Sequence, residues 1–227
     1  MKIYACITFV LLILSSFSCD SHEPIITDLK TLEPIAEIDL SNILSEPSGI
    51  VYNLINNSLY VVSDTTSIIF EIDLNGNLLR QINVIANDLE GITLSKNSDT
   101  IYVVEESDNL ITSFLTNGDK ITSFNIDVST NSSNGLEGIA IDNNYKIYVA
   151  NEKLPRYVIT LLNNVEINRY EITAIDDLSD ICYDSSLDCL WLISDESNKI
   201  VKMSKDGILQ SEWSIPFDKG EGITFIN

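Results

Sequence analysis

Acidic residues recur at corresponding places along this sequence, and their spacing is the first sign of chemistry. Glu90-Gly91, Glu137-Gly138 and Glu221-Gly222 each open a short apolar run, while Asp64, Glu106, Glu152 and Asp195 each follow one. Glu46 stands slightly displaced, ahead of Pro47-Ser48-Gly49. Carboxylates brought close together repel one another unless they are protonated, paired or metal-bound. A hard cation such as Ca²⁺, which takes about six to eight oxygen ligands, would neutralise them. Glu90, Glu106, Glu137, Glu152, Glu221, Asp64 and Asp195 are therefore candidate calcium ligands. The competing reading gives each acid a local task, capping a turn or accepting backbone N–H bonds within its own repeat. Lys153 and Arg156, in Glu152-Lys153-Leu154-Pro155-Arg156, interrupt the acidic pattern. They could orient an anionic group of a ligand, or pair locally with Glu106 and Glu152.

Several chemistries lack the residues they need. The only histidine is His22, so a Ser-His-Asp hydrolase or a His-ligated zinc or iron site cannot be built in the repeats. Glycines occur singly at turns and run starts, and no phosphate-cradling loop is present. Against 13 Lys and Arg stand 34 Asp and Glu, a formal net charge of −21. Such a surface repels phosphate backbones, which excludes nucleic acid as a partner and favours cationic ligands.

The elements that must position these acids follow from the repeat itself. The residue before each opening apolar run is Gly49, Gly91, Gly138, Asp180 or Gly222, and the repeats begin near residues 46, 88, 135, 177 and 219. A period of about 42 residues lies in the range of propeller blades. Each repeat resolves into four short β-like runs, in the first case Ile50 to Tyr52, Leu59 to Ser63, Ile68 to Leu74 and Leu78 to Val84. The turn between the third and fourth runs recurs as Asn75-Gly76, Asn117-Gly118, Asn163-Asn164 and Asp206-Gly207, pairs that supply the positive φ of tight hairpins. Second runs are nearly all apolar and fourth runs more polar, the gradient from an inner to an outer blade strand. The expected fold is all-β, a β-propeller of four-stranded blades over residues 34–227, with no helix. The segment around Pro34 to Gly49 reads as a fourth-strand-like run before the first repeat, and the last repeat shows only its first strand, as if truncated. In a blade, the start of the first strand and the end of the second meet on one face near the axis. The bracketing acids are therefore expected to form a ring around one mouth of the central channel.

The first 19 residues differ from the rest. Lys2 precedes an apolar run from Ile3 to Leu14, too short for a bilayer core that needs about 20 residues, so residues 1–18 read as an export signal. Ser16-Phe17-Ser18-Cys19 resembles the lipobox of bacterial lipoproteins, which makes Cys19 the expected lipidation site and places the protein at the cell envelope, membrane-anchored through a tether over residues 19–33. Cys182 and Cys189 flank a hairpin turn in an exported chain, where either a cross-hairpin disulfide or two buried thiols fits the spacing.

The motifs EPSGI with LYVVSD, DLEGI with YVVEE, NGLEGIA with NEKLPR, LSDICYD with LWLISDES, and the final GEGITF resemble the SdiA-regulated family of bacterial β-propellers, relatives of the NHL-repeat proteins. The resemblance covers nearly all of residues 44–227 and implies a five-bladed, exported or membrane-associated propeller whose chain continues past the last of these motifs. It supplies a fold and hardly any biochemistry. A non-enzymatic module that binds a ligand or protein partner through the acidic mouth is the leading expectation. The alternative is a Ca²⁺-dependent propeller hydrolase acting on lactones or phosphoesters with the same carboxylates.

Overall fold

Runs of β-branched and aromatic residues separated by Asn, Asp and Gly turns form antiparallel hairpins in the computed structural model, which describes residues 30–128, 135–153 and 155–226. The segment read as an export signal (residues 1–18), Cys19 and His22 lie outside the described residues, as does most of the expected tether. After a two-residue strand β1 (Lys30–Thr31), the strands fall into four blades. Blade 1 holds β2 (Pro47–Asn53), β3 (Ser58–Ser63), β4 (Ile68–Asp73) and β5 (Leu78–Asn83). Blade 2 holds β6 (Leu89–Leu94), β7 (Thr100–Glu105), β8 (Leu110–Leu115) and β9 (Lys120–Asn125). Blade 3 holds β10 (Leu136–Ile141), β11 (Ile147–Asn151), β12 (Tyr157–Leu162) and β13 (Val165–Glu171). Blade 4 holds β14 (Asp180–Asp184), β15 (Cys189–Ser194), β16 (Lys199–Ser204) and β17 (Leu209–Ser214). Strands are paired in sequence order within each blade, and no helix occurs among the described residues. The protein is an all-β propeller of four-stranded blades.

Apolar second strands and polar fourth strands take the inner and outer places. β3, β11 and β15 are buried along their whole length, whereas β5, β9, β13 and β17 are largely exposed. The core lies between blade faces. Tyr60, Val62 and Ile69 of blade 1 pack on Leu89, Ile101 and Phe114 of blade 2. Ala140, Tyr148 and Val158 of blade 3 pack on Ile181, Leu190 and Val201 of blade 4. Each blade thus buries its apolar face only against a neighbour, which is why repetition is needed for stability.

Two features of the ends differ from the sequence expectation. Residues 34–46 form no strand; Leu40 and Leu44 instead enter the core of blade 1. The outermost added strand is β1, which pairs in parallel with β17 (Lys30↔Trp213, Thr31↔Ser214) and so becomes the fifth strand of blade 4. Residues 221–226 form no ladder, yet they span the gap between blades 4 and 1. The Ile223 N–H donates to Asp180 Oδ2 at 2.9 Å, and the Tyr52 N–H donates to Thr224 Oγ1 at 3.0 Å. The side chains of Ile223 and Phe225 join Trp191, Trp213 and Ile200 in one apolar cluster. Cys182 and Cys189 are free thiols. Cys182 stands opposite Trp191 and Cys189 opposite Asp184, so the two cysteines are diagonal neighbours, farther apart than the directly opposed pairs.

Candidate functional site

The recurring Glu-Gly pair is explained by how closely the first strands approach one another. A Cβ at Gly49 would collide with the carbonyl oxygen of Glu90, and one at Gly91 with the carbonyl oxygen of Glu137. Gly49 and Gly91 therefore admit the backbone of the next blade at the residue just before its own glycine, and Gly138 admits blade 4 at Asp180 and the Ile181 nitrogen. In blade 4 the corresponding position is Asp180, whose buried carboxyl accepts bonds from the Ile181 N–H at 2.7 Å and the Ile223 N–H at 2.9 Å. Burial drives the Asp180 carboxyl well above its ordinary pKa, although these backbone donors oppose the rise.

Glu90 and Glu137, each before its blade's glycine, are placed at the mouth, where they meet the acids that follow second strands. Carboxylate oxygens of Asp88, Glu90 and Glu106 lie within 4.8 Å of one another, and so do those of Glu106, Glu137 and Glu152. Glu106 belongs to both triads. All five side chains are part-buried. The energetic consequence is visible in their acidities. Burial, reinforced by Glu90, Glu106, Glu152 and Glu221, pushes Glu137 up to about 11. Burial lifts Glu90 to about 8, against a hydrogen bond from Ser48 and with the help of Asp64, Glu106 and Asp88. Glu221 rises to about 7 through burial and the charge of Asp195. Glu106 and Asp64 are also raised, in both cases chiefly by burial.

Some of these acids also have local bonds. Glu106 Oε1 accepts the Gly135 N–H at 3.0 Å, and Asp195 Oδ1 accepts the Lys219 N–H at 2.7 Å. No donor among the described residues reaches the Glu137 carboxyl. Lys153 Nζ bridges Glu152 Oε1 and Glu196 Oε1, each at 2.8 Å. Burial works against this ammonium, but the two carboxylates outweigh it and hold its pKa above that of an ordinary lysine. Arg156 is turned away to the backbone: Nε donates to the Ile172 carbonyl and Nη1 to the Asp176 carbonyl, both at 2.9 Å. Asp64 is the most exposed of the candidates and feels Glu46 and Asp88. The structure thus gathers Glu90, Glu106, Glu137 and Glu152 tightly, with Glu221 and Asp64 on their flanks.

Asp88 is a member of the cluster that the bracketing pattern did not single out. Its carboxylate accepts the Ser107 N–H at 2.9 Å and is also bonded by the Ser107 hydroxyl. Three residues before the marker stand Glu46, Asp88, Gly135 and Asp177, an acid in three of the four blades. That position is a second repeating signal. Asp177 uses it differently, bonding Ser179 at 3.0 Å, Ser194 and the Glu196 N–H at 3.1 Å inside the loop.

Calcium–oxygen bonds of about 2.3–2.6 Å allow ligands on opposite sides of the ion to lie about 5 Å apart, so either triad is compact enough to reach one ion. The tighter octahedron of Mg²⁺ suits this spread less well.

A family profile for SdiA-regulated proteins matches residues 31–219. The chain belongs to the SdiA-regulated family. No curated protein matches it in sequence. Among solved structures, a streptogramin B lyase superposes with a TM-score of 0.58 at 20% identity, covering 81% of this chain and 60% of the lyase. A virginiamycin B lyase from Staphylococcus aureus gives 0.55 at 22% identity, covering 85% and 64%. The hydrazine synthase of Kuenenia stuttgartiensis gives 0.54 at 12% identity, covering 85% and 52%. At these identities the likeness concerns the fold alone. The chain spans 60 to 64% of the length of the two lyases.

Proposed function

We propose that this SdiA-regulated propeller is a binding module held at the cell envelope by a lipidated Cys19, and that its acidic mouth captures a calcium ion or a cationic group of a ligand or protein partner. The observation that carries the reading is the pair of interlocked triads, Asp88/Glu90/Glu106 and Glu106/Glu137/Glu152, built at half-buried positions where like charges are costly. A bound cation removes that cost. The lipid anchor rests on Cys19 after an export-type segment.

The test is the thermal melting of residues 20–227 in excess chelator and then in millimolar calcium. An ion present at about 100 times its dissociation constant stabilises by about 2.7 kcal/mol, which for a chain of this size raises Tm by about 5 to 10 °C. Glu106→Gln, at the residue the triads share, is expected to abolish that rise. A wild-type melt unmoved by calcium overturns the ion-binding part of the reading. A second reading, a calcium-dependent hydrolase of lactones or phosphoesters, is favoured by Glu90 at about 8 and Glu221 at about 7, both able to exchange a proton near neutral pH. Calcium-dependent turnover of such esters, lost in Glu90→Gln, would select it.

A further inference from the structure

An aromatic residue stands three places before the end of every second strand: Tyr60, Tyr102, Tyr148 and Trp191. Tyr60, Tyr148 and Trp191 are buried, whereas Tyr102 is only part-buried. The hydroxyls differ as well. Tyr60 Oη accepts Arg80 Nη2 at 2.8 Å and Asn53 Nδ2 at 3.5 Å, and the Tyr148 hydroxyl donates to Asp142 Oδ2 at 3.2 Å. Asn53 and Asp142 share one repeat position, four residues after Gly49 and Gly138. In blade 2 that position is Ser95, a shorter side chain spent on its own turn, where it donates to Asp99 Oδ1 at 2.6 Å and accepts the Thr100 N–H at 3.1 Å. The Tyr102 hydroxyl is left without a partner among the described residues.

The outer turns explain why this place stays open. Third and fourth strands are joined by residues 74–77, 116–119 and 205–208 in blades 1, 2 and 4, but by residues 163–164 alone in blade 3. The longer turns fill the seam toward the preceding blade. Gly118 packs so closely on Ile82 and Asn83 that a Cβ would collide there, and Gly207 packs in the same way on the Tyr170 ring. Long cationic side chains complete both seams. Arg80, which holds Tyr60, donates Nη1 to the Thr116 carbonyl at 3.0 Å, and Lys205 Nζ reaches the Asp142 carboxylate at 3.1 Å. Between blades 2 and 3, Asn163-Asn164 makes a two-residue turn with φ of 51° and 62°, and Thr122, too short to cross the seam, stands where blade 1 has Arg80. What remains is a cleft of about 350 Å³ walled by Asn97, Asp99, Tyr102, Tyr145, Asn163 and Asn164. First-to-second turns line it, so it opens at the end of the propeller opposite the acidic mouth.

We propose that this cleft between blades 2 and 3 binds a neutral pyranose unit of a glycan. A pyranose presents C–H groups on its faces and hydroxyls around its rim. Tyr102 and Tyr145, with Ile141 and Ile147, supply apolar surface for the faces. The amides of Asn97, Asn163 and Asn164 and the free Tyr102 hydroxyl both donate and accept, as every sugar hydroxyl does. Tyr145 is 60% exposed and is the only aromatic residue with positive φ among the described residues, at 62°. Such a backbone is costly for a bulky side chain, and its use to display a ring beside the cleft points to a role in binding. The lining holds no cation, so a phosphate or carboxylate ligand would find no counter-charge. An ammonium ligand would have only the Asp99 carboxylate, already engaged by the hydroxyls of Ser95 and Thr100. The volume lies at the lower end of the range for ligand pockets, about 300–1,000 Å³, and suits one ring rather than a long chain.

The test is an array of immobilised glycans probed with labelled residues 20–227, which include every described residue, followed by calorimetric titration of the neutral glycan that binds most tightly. Neutral oligosaccharides of glucose, galactose, mannose or N-acetylglucosamine should bind, and sialylated or sulfated ones should not. Tyr145→Asn, which keeps a residue at ease with positive φ but removes the ring, should weaken binding about tenfold or more. Tyr102→Phe, which removes one hydroxyl and leaves the packing intact, should weaken it about three- to tenfold. Replacing Asn163-Asn164 by the four-residue turn of blade 2, Thr-Asn-Gly-Asp, should close the cleft and abolish binding while the protein still melts cooperatively. Affinity is expected to be equal in chelator and in calcium. Absence of binding to every neutral glycan, preference for the anionic ones, or unchanged affinity in Tyr145→Asn and in the lengthened turn overturns the proposal. Binding that requires calcium would move the site to the mouth and overturns it too. So does displacement of the glycan by tetramethylammonium at equal or lower concentration, since the cleft would then be a site for cations.

Discussion

Replacing Glu90 by Gln removes one ionisable group from the mouth while keeping its size and a side chain that can still bond Ser48. In the folded state burial, with Asp64, Glu106 and Asp88, holds Glu90 at about 8, against an ordinary value of 4.5. Between those values the folded protein retains a proton that the unfolded chain has released. A carboxyl raised in this way favours folding at low pH, and stability falls as pH climbs from about 4.5 to about 8, then levels. From pH 6 to pH 8 the loss is at most about 2.7 kcal/mol; partial access to water reduces it to about 1 to 2 kcal/mol. Glu90→Gln has no such proton to lose, and the neighbouring acids titrate in both proteins. Melts in chelator should therefore show wild type losing about 3 to 6 °C more than the variant between pH 6 and pH 9. Saturating calcium should flatten the wild-type curve by replacing the proton as neutralising charge. Parallel pH curves for the two proteins in chelator would refute the reasoning, because they would mean that Glu90 is solvated like an ordinary glutamate.

Two further substitutions test how the site is held. Gly91→Ala places a methyl group against the Glu137 carbonyl and Gly138 Cα; both are backbone, so the strands must separate, and urea unfolding should show a loss of about 3 kcal/mol. Lys205→Ala strips the ammonium that joins buried Asp142 (3.1 Å) to Asp188 (2.5 Å) and leaves Asp142 with only its uncharged partners. Urea titration should register about 2 to 3 kcal/mol, whereas Lys199→Ala, at the more exposed pair with Glu212, should change stability by less than about 1 kcal/mol.

The four-stranded blades were legible because two signals agreed at each step, apolar runs of strand length and Asn-Gly or Asp-Gly turns at matching intervals. Runs read at Leu59 to Ser63 and Ile68 to Leu74 correspond to β3 (Ser58–Ser63) and β4 (Ile68–Asp73) within a residue. Convergence of Glu90, Glu106, Glu137 and Glu152 was legible for the same reason: strand direction alone fixes which ends share a face. The destinations of long side chains were not. Arg156 reaches the Ile172 and Asp176 carbonyls and Lys153 reaches Glu196, partners set by loop shape rather than by spacing. Nor could the strand period show that residues 34–46 would give up strand pairing to bury Leu40 and Leu44 against blade 1, because that depends on a surface assembled from distant parts of the chain.

The doublet Glu105-Glu106 shows why acids in this repeat take two roles. Successive residues of a strand point to opposite sides. At the last position of the second strands, Glu105 is buried and accepts the Asn87 N–H at 3.0 Å and the Thr112 hydroxyl, as Ser63 bonds the Ser45 carbonyl at 2.7 Å and Ser194 bonds Asp177. That inward position shapes the loop, and a serine or asparagine serves there as well as a glutamate. The next position, occupied by Asp64, Glu106, Glu152 and Asp195, is acidic in all four blades, and Glu106 and Glu152 join the carboxylate cluster of the mouth from it. If loop capping alone governed it, neutral residues would serve there too, and the cost of crowding carboxyls would be avoided. Glu137 sharpens the contrast, since it sits among four other acids with no donor from the described residues and is driven to about 11. Local structure accounts for the inward acids; at the mouth, Glu90, Glu137 and Glu221 are held above their ordinary pKa chiefly by burial, so their ionisation weakens the folded state as pH rises, and a cation is the species we propose to offset it.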